Sequence, residues 1–94
     1  MTNENTLKEV LREFINSLNV NDKINELRIS ECWEKMMGNL IARHTINFFL
    51  KNKILYLTFD SPALKQELSY AKSKIIKMIN KEIGNDVVKE IVIR

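Results

Sequence analysis

A tyrosine and three lysines stand at helical spacing in the second half of the chain: Tyr70, Lys74, Lys77 and Lys81. At about 100° per residue, these four positions share one face of a helix. A tyrosine ring can stack on an unpaired base while ammonium groups follow the phosphates. The pattern predicts a contact with single-stranded DNA or RNA. The alternative is the solvated lysine face of an ordinary amphipathic helix.

Positive charge is concentrated in the same part of the sequence. Residues 43–81 carry eight basic and two acidic side chains, whereas the whole chain has a net charge of only +3. Lys51 and Lys53 flank a turn residue, Asn52, and we expect them to extend the positive surface. The alternative is that they are turn residues that discourage edge pairing of a sheet.

Trp33 and His44 are candidates for contact with a protein partner. Trp33 opens an apolar stripe at helical spacing, which indicates either a core aromatic or a partly exposed hot spot. His44 lies eleven residues later, near the expected end of the same helix, where a protonated imidazole is favoured by the helix dipole. A capping or packing role is the alternative for His44.

Residue types that would support catalysis or metal binding are scarce. Cys32 and His44 are the only residues of their types, so neither a thiolate metal site nor a disulfide can be built. Two glycines cannot form a phosphate-cradling loop. We therefore expect no enzyme activity, no cofactor and no small-molecule substrate, and an inert, packed Cys32. The polar N-terminus and the absence of an apolar run near ~20 residues indicate a cytoplasmic protein without a membrane span.

Periodicity predicts two helices in the first half of the chain. Thr6 and Glu9 form a capping box, and a stripe of apolar residues follows to Leu18. After a polar break at 19–22, a second helix is expected to begin between residues 22 and 30. We expect it to continue through Gly38, which would allow close packing against a neighbour. The alternative is that the helix bends at Gly38.

The second half of the chain alternates between strand and helix signals. Residues 45–59 have a period of two around Asn52, which predicts a hairpin with a left-handed Asn52. Ser61 or Asp60 caps a third helix that starts at Pro62 and ends before Gly84, and residues 87–93 form a last strand. The strand–helix–strand unit should make its two strands parallel.

The predicted fold is α+β with the order α-α-β-β-α-β, a three-stranded mixed sheet packed with helices. Residues 1–94 are expected to form a single domain, frayed over residues 1–5. The predicted core consists of Leu11, Phe14, Trp33, Ile41, Leu57, Phe59, Leu68, Ile75 and Ile91.

A longer pattern runs from the second helix to the end of the chain, as a tryptophan–glycine–histidine–threonine string followed by a strand-to-helix junction. It consists of Trp33-x-x-x-Met37-Gly38-x-x-Ile41-Ala42-x-His44-Thr45, then Leu55-Tyr56-Leu57-Thr58-Phe59-Asp60-Ser61-Pro62-Ala63-Leu64-Lys65-Gln66-Glu67-Leu68, and finally Ile83-Gly84 and Ile91-Val92-Ile93. With these motifs, about residues 5–94 resemble the DciA-like family.

The resemblance implies a KH-like fold and a non-enzymatic accessory role, in which the protein binds single-stranded DNA and the bacterial replicative helicase and helps to load that helicase. A Gly-x-x-Gly loop, which clamps the nucleic-acid backbone in KH domains, is absent from the sequence. Nucleic-acid contacts would therefore use side chains of the third helix and the hairpin. Two alternatives stay open: a protein-interaction module without physiological nucleic acid, and a general RNA-binding domain of KH-like shape.

Overall fold

The computed structural model describes residues 4–17 and 20–94. The elements are α1 Glu4–Ser17, α2 Val20–Met37, α3 Asn39–Arg43, β1 Thr45–Lys51, β2 Ile54–Phe59, α4 Pro62–Ser69, α5 Lys72–Ile83 and β3 Glu90–Ile93. This is the predicted order, with two of the predicted helices each broken in two. The α+β class with a three-stranded mixed sheet is confirmed.

The sheet has the strand order β1-β2-β3, with β1 and β2 antiparallel and β2 and β3 parallel. The hairpin turn consists of Asn52 and Lys53, whose φ angles are +52° and +65°. Two consecutive residues with positive φ form the turn type that matches the twist of paired strands. The predicted hairpin, the left-handed Asn52 and the parallel pairing are therefore confirmed.

Strand β1 contains an irregularity that the period-two pattern does not show. Thr45 pairs with Phe59 and Asn47 with Thr58, so Ile46 is an extra residue between two pairs. A bulge of this kind shifts the alternation by one position. Unbroken alternation places Ile46 on the same side as Phe48 and Leu50, but in the structure Ile46 is 59% exposed.

One face of the sheet packs against helices to form the core. Leu55, Leu57 and Phe59 point from β2 into a cluster with side chains from α2, α4, α5 and β3. Of the predicted core residues, six belong to this cluster and Ile41 packs at its margin: the six are Trp33, Leu57, Phe59, Leu68, Ile75 and Ile91.

The other two predicted core residues lie on α1 and are exposed, Leu11 by 50% and Phe14 by 59%. The prediction that they join this core is wrong. A stripe of apolar residues indicates which face of a helix can be buried, but it does not indicate which element will cover that face.

The helix boundaries in the first half also differ from the prediction. Helix α1 begins at Glu4, so Thr6 lies inside the helix rather than at its cap, and of the segment 1–5 only residues 1–3 lie outside the described part. Helix α2 begins at Val20, before the expected window of 22–30. Asp22 then lies in the first turn, where the helix dipole favours a carboxylate. Residues 18 and 19 lie outside the described residues.

The predicted continuity of the second helix through Gly38 is wrong. Gly38 separates α2 from α3 with φ +88° and ψ 163°, a backbone region that is essentially restricted to glycine. A Cβ at this position would meet no heavy atom within 4 Å. Glycine is therefore required here by the backbone conformation, and the expected close approach to a neighbour is not found.

The third predicted helix is likewise two helices. Its start is as predicted: Ser61 Oγ accepts a hydrogen bond from the Leu64 N–H at 3.3 Å, and Pro62 occupies the first helical position. Helix α4 then ends with i→i−3 hydrogen bonds from the N–H groups of Tyr70 and Ala71, which close a tighter turn. Gly84, with φ +90°, ends α5 as predicted.

The last strand is shorter than the predicted 87–93, because Asn80 binds the first part of that segment. Asn80 Oδ1 accepts from the backbone N–H groups of Val87 and Val88 at 3.0 Å each, and Nδ2 donates to the Val88 carbonyl at 2.9 Å. This side chain from α5 satisfies backbone groups that a strand partner would otherwise satisfy. It also fixes the position of β3 relative to α5.

The outer edge of β1 is bound by two carboxylates of α2. Asp22 Oδ2 accepts from the Asn52 N–H at 3.1 Å, and Glu26 Oε1 accepts from the Leu50 N–H at 2.9 Å. Four residues of helix advance about 6 Å and two residues of strand about 6.8 Å, so the spacings match. The contacts protect an edge strand and orient α2 along the sheet.

Candidate nucleic-acid interface

Three of the predicted lysines form one exposed surface on α5. Lys74, Lys77 and Lys81 are all exposed, and the opposite side of the helix contributes its buried isoleucines to the core. We call these three residues the lysine face. Because the isoleucines point towards the sheet, the lysine face points away from it. The acidic residue of α5, Glu82, forms an ion pair with Lys35 of α2 at 3.6 Å, so its charge is offset from outside the lysine face.

Tyr70 is separated from the lysine face by the break between α4 and α5. It is the C-terminal cap of α4 and is 82% exposed. The prediction that it shares one continuous helix face with the lysines is wrong, because the regular 100° rotation per residue does not hold across the break. Tyr70 is nevertheless an exposed ring just before the start of α5, and its base-stacking role stays a prediction.

Lys51 and Lys53 belong to the hairpin and do not extend the lysine face. Lys51 is the last residue of β1 and lies on the side of the sheet opposite the helices, whereas α5 covers the other side. The backbone carbonyl of Lys53 accepts from the Lys89 N–H at 2.7 Å, which joins the turn to the start of β3. The expected single basic surface is therefore divided, with Lys51 on the side of the sheet opposite the lysine face.

Trp33 is a core residue with 4% of its surface exposed. Its indole N–H donates to Thr45 Oγ1 at 3.1 Å, and its ring meets Phe48 edge-to-face with centroids 5.2 Å apart. Trp33 therefore has the position of a core aromatic, not that of a partly exposed hot spot. A groove of about 260 Å³ lies beside it between α2 and β1, with the exposed Ile46 at its rim.

His44 lies at the C-terminal end of α3 and bonds to the far end of the hairpin. Its Nδ1 is 2.6 Å from Asp60 Oδ1, and the Asp60 N–H donates to the His44 carbonyl at 3.2 Å. These bonds link the start of β1 to the end of β2. This is a positioning geometry, and a contact of His44 with a partner protein stays a prediction.

The most distinctive exposed surface was not predicted from the sequence. On the side of the sheet opposite the helices, Phe49 pairs in register with Tyr56, and their ring centroids are 5.9 Å apart at an interplanar angle of 39°. Phe49 is 43% exposed. Together with four polar neighbours the two rings line an open groove of about 410 Å³, which we call the sheet face: Asn47, Phe49, Lys51, Tyr56, Thr58 and Arg94.

Cations lie directly over both rings of the sheet face. The Arg94 guanidinium carbon is 4.9 Å from the Tyr56 ring centroid, and Lys23 Nζ is 5.2 Å from the Phe49 ring centroid. Both distances are within the range of cation–π attraction. Lys23 also lies 3.6 Å from Glu26, so part of its charge is offset.

Period-two alternation could have found part of this surface, because it places Phe49 opposite Leu50 and Tyr56 opposite Leu55. It could not reveal the cations. Lys23 is brought in from α2 through the edge contacts of Asp22 and Glu26, which no local motif encodes.

Cys32 has the properties expected of an inert thiol. Burial raises its pKa, and the negative charge of Glu82 raises it further. Its Sγ donates to the carbonyls of Arg28 and Ile29, 3.3 and 3.4 Å away. A thiol with a raised pKa is protonated at neutral pH and therefore poorly nucleophilic.

The described residues form neither a metal-binding cluster nor a membrane-spanning helix. Within residues 4–17 and 20–94, no three side chains of the metal-binding types His, Cys, Asp and Glu converge as a metal site would require. In the same part of the chain, no helix is both long and apolar enough to cross a bilayer.

Comparison with known proteins identifies the family. The family model described as "Dna[CI] antecedent, DciA" matches residues 6–93, nearly the whole chain. The chain belongs to the DciA family. It is also 31% identical over 63 residues to a UPF0232 protein of Corynebacterium glutamicum (strain R), an alignment that covers 67% of this chain and 35% of that protein.

The chain thus spans about a third of the length of this DciA-type relative. No solved structure matches it, so the KH-like description has no structural neighbour to support it. The lysine face lies within the matched residues 6–93, and so do the residues of the sheet face other than Arg94.

Proposed function

We propose that this chain is a non-enzymatic accessory protein of bacterial DNA replication that binds single-stranded DNA and the replicative helicase, and so assists helicase loading. The observation that carries this proposal is the match of the DciA family model to residues 6–93. The exposed lysine face supports the DNA-binding part, because three ammonium groups on one side of a helix can neutralise successive phosphates.

Binding of this kind has a measurable salt signature. Each lysine that neutralises a phosphate of a single strand releases a counterion, so three contacts give a log–log slope of roughly −2. Affinity should then fall roughly 15- to 20-fold between 50 and 200 mM salt. Fluorescence anisotropy with a labelled oligothymidylate measures this slope.

The decisive variant for the DNA-binding part is K74A/K77A/K81A, compared with K8A/R12A/R43A. Both variants lose three positive charges, but the second loses them at exposed residues of α1 and α3. The proposal predicts a shallower salt slope and weaker binding only for the first variant. Equal binding by the two variants, or no binding of wild type at low salt, would contradict a role for the lysine face.

Docking on the helicase is the second part of the proposal, and the groove beside Trp33 supports it. Ile46 lines this groove and is 59% exposed, and an exposed apolar residue at a groove is typical of protein contacts. Ile46→Asp should weaken co-sedimentation with the purified replicative helicase without changing DNA affinity. Helicase binding that survives this substitution would place the docking site elsewhere.

The same measurements distinguish the alternatives. A chain that binds the helicase but no oligonucleotide is a protein-interaction module, which the groove and the exposed apolar residues of α2 and α3 would explain. Equal or stronger binding to single-stranded RNA in the same salt series would favour a general RNA-binding domain.

A further inference from the structure

We propose that the sheet face is a second nucleic-acid surface, on which unpaired bases of a single strand stack against Phe49 and Tyr56. The inference rests on the proposed function, since it names a place on the molecule where single-stranded DNA is held. It is independent of the lysine face, because the two surfaces lie on opposite sides of the sheet.

The aromatic pair of the sheet face is placed to stack with bases. Phe49 and Tyr56 are register partners on neighbouring strands, and Phe49 leaves 43% of its surface exposed rather than joining the core. Exposed rings on an open sheet provide flat apolar platforms, and every base has a face that can stack on such a platform. A ring spacing of 5.9 Å provides two adjacent platforms for neighbouring bases.

The groove also has polar side chains that can form hydrogen bonds beside the rings. Asn47 and Thr58 are register partners two pairs further along the same strands, on the same side of the sheet, and both line the groove. The Asn47 amide and the Thr58 hydroxyl can each donate and accept a hydrogen bond. Both are therefore suited to bind the edge of a stacked base. The groove volume of about 410 Å³ is in the range of small-ligand sites.

Positively charged side chains surround the groove of the sheet face. Arg94 and Lys51 line the groove, and Lys23 reaches it from α2. The acidic residue on this side is Glu90, which pairs with Ile54 at the hairpin end of the sheet, and Glu26 offsets part of the Lys23 charge. Positive charge therefore dominates beside the rings, as a polyanion requires.

Charge also favours nucleic acid over a second copy of this chain. A twofold dimer through this surface would bring the same groups of both copies together. Arg94 and Lys51 would then face like charges, which weakens association. With a single strand, a phosphate can draw the exposed Arg94 off the Tyr56 ring, which frees the ring face for a base.

Photo-crosslinking tests the location directly and without mutation. An oligothymidylate in which single positions carry 5-iodouracil is irradiated with the wild-type chain, and the crosslinked peptides are identified by mass spectrometry. We expect crosslinks at Phe49 and Tyr56. Crosslinks confined to Tyr70 and its surroundings would overturn this inference while leaving the proposed function intact.

Substitution then measures the contribution of stacking. In F49L/Y56L both rings are replaced by apolar side chains, and the expected loss is roughly 5- to 150-fold in affinity for each base that stacks, with the salt slope unchanged. L40A is the matched control, since it removes an exposed apolar side chain outside the groove. If the double variant does not fold, F49L alone serves the same test, because Phe49 is already partly exposed.

The outcomes separate the two proposals. Unchanged affinity of the folded F49L/Y56L variant overturns the sheet-face inference, whereas absence of binding by wild type at low salt overturns the DNA-binding part of the proposed function as well. A loss of affinity together with a shallower slope would show that the rings act only by positioning the cations, and would also overturn base stacking.

Discussion

The two basic surfaces of this chain differ in what holds their charges. On the lysine face, three long side chains extend from α5 into solvent, and no hydrogen bond or ion pair fixes them among the described contacts. On the sheet face, Arg94 and Lys23 lie over aromatic rings at 4.9 and 5.2 Å. Unfixed charges attract a polyanion from a distance, whereas a cation fixed beside an aromatic ring can also orient a base.

This difference assigns distinct energetic roles to the two surfaces. The lysine face should contribute salt-dependent affinity and little selectivity, since phosphate contacts are the same for every sequence. The sheet face should contribute binding free energy that depends less on salt, because stacking does not release counterions. Both depend on how β3 and α5 are held together.

The largest effect is expected from Asn80→Ala, which removes the link between the surfaces. Asn80 makes three hydrogen bonds with the backbone of Val87 and Val88, and both residues are buried. Its loss removes these partners from the N–H and carbonyl groups of the buried Val88 and should lower the free energy of unfolding by about 2–3 kcal/mol. Urea denaturation measures the change.

Asn85→Ala is the matched control, since the Asn85 side chain is exposed and only its backbone carbonyl takes part, by accepting from the Val87 N–H at 2.9 Å. We expect that variant to be within about 0.5 kcal/mol of wild type. Equal losses for the two variants would contradict the role given to the Asn80 side chain.

A smaller effect is expected at Gly38, which sets the direction of the chain entering β1 and the sheet face. Gly38→Ala should lower the free energy of unfolding by about 1–3 kcal/mol, because φ +88° with ψ 163° is unfavourable for any side chain. Thermal and urea unfolding measure this loss.

Gly84 at the end of α5 provides the comparison for this prediction. Its φ +90° and ψ 6° lie in the left-handed region that asparagine tolerates, so Gly84→Asn should be milder than Gly38→Asn. A stabilised Gly38→Ala variant would show that α2 and α3 can join into one helix after all.

Tyr70→Ala tests whether the lysine face has an aromatic partner of its own. If the ring stacks on a base, the substitution should weaken binding by about 1–3 kcal/mol with no change in the salt slope. Stability should be unchanged, because Tyr70 is 82% exposed. Unaltered affinity in the anisotropy titration would leave α5 with charge alone and strengthen the contrast with the sheet face.

The smallest effect is expected at Cys32, which belongs to neither surface. Because burial raises the pKa of its thiol, the thiolate forms at higher pH in the folded chain than in the unfolded chain. Alkylation by iodoacetamide should therefore be slow at neutral pH and rise at a higher pH than for the chain in urea. Faster alkylation of the folded chain would contradict this assignment, and bound oligonucleotide should not change the rate.

Local chemistry predicted the parts of the fold that depend on single residues. The Asn52 turn, the Ser61 cap and the Gly84 terminus each follow from the preference of one residue for one backbone geometry. The break after α4 was not predictable in this way, because residues 69–72 contain neither glycine nor proline. A glycine at position 38 can reflect either close packing or a backbone angle that other residues avoid, and the sequence does not distinguish the two.

The two candidate surfaces also differ in how far the sequence of a single segment predicts them. The exposure of Lys74, Lys77 and Lys81 follows from the period of a single helix, and the structure confirms it. The sheet face depends on a register, on Lys23 brought in from a distant helix, and on a side of the sheet that the described helices leave open. Those are tertiary properties, which the pattern of residues within one segment does not contain.

The most direct test of this account is a titration of the 15N-labelled chain with oligothymidylate, followed by amide chemical shifts in two-dimensional NMR spectra. We expect perturbations in two groups: residues 47–58 with β3, and residues 70–81, which contain Tyr70 and the lysine face. Raising the salt concentration should reduce the perturbations of the α5 group more than those of the sheet group. Shifts limited to residues outside both surfaces, or no shifts at low salt, would contradict the account.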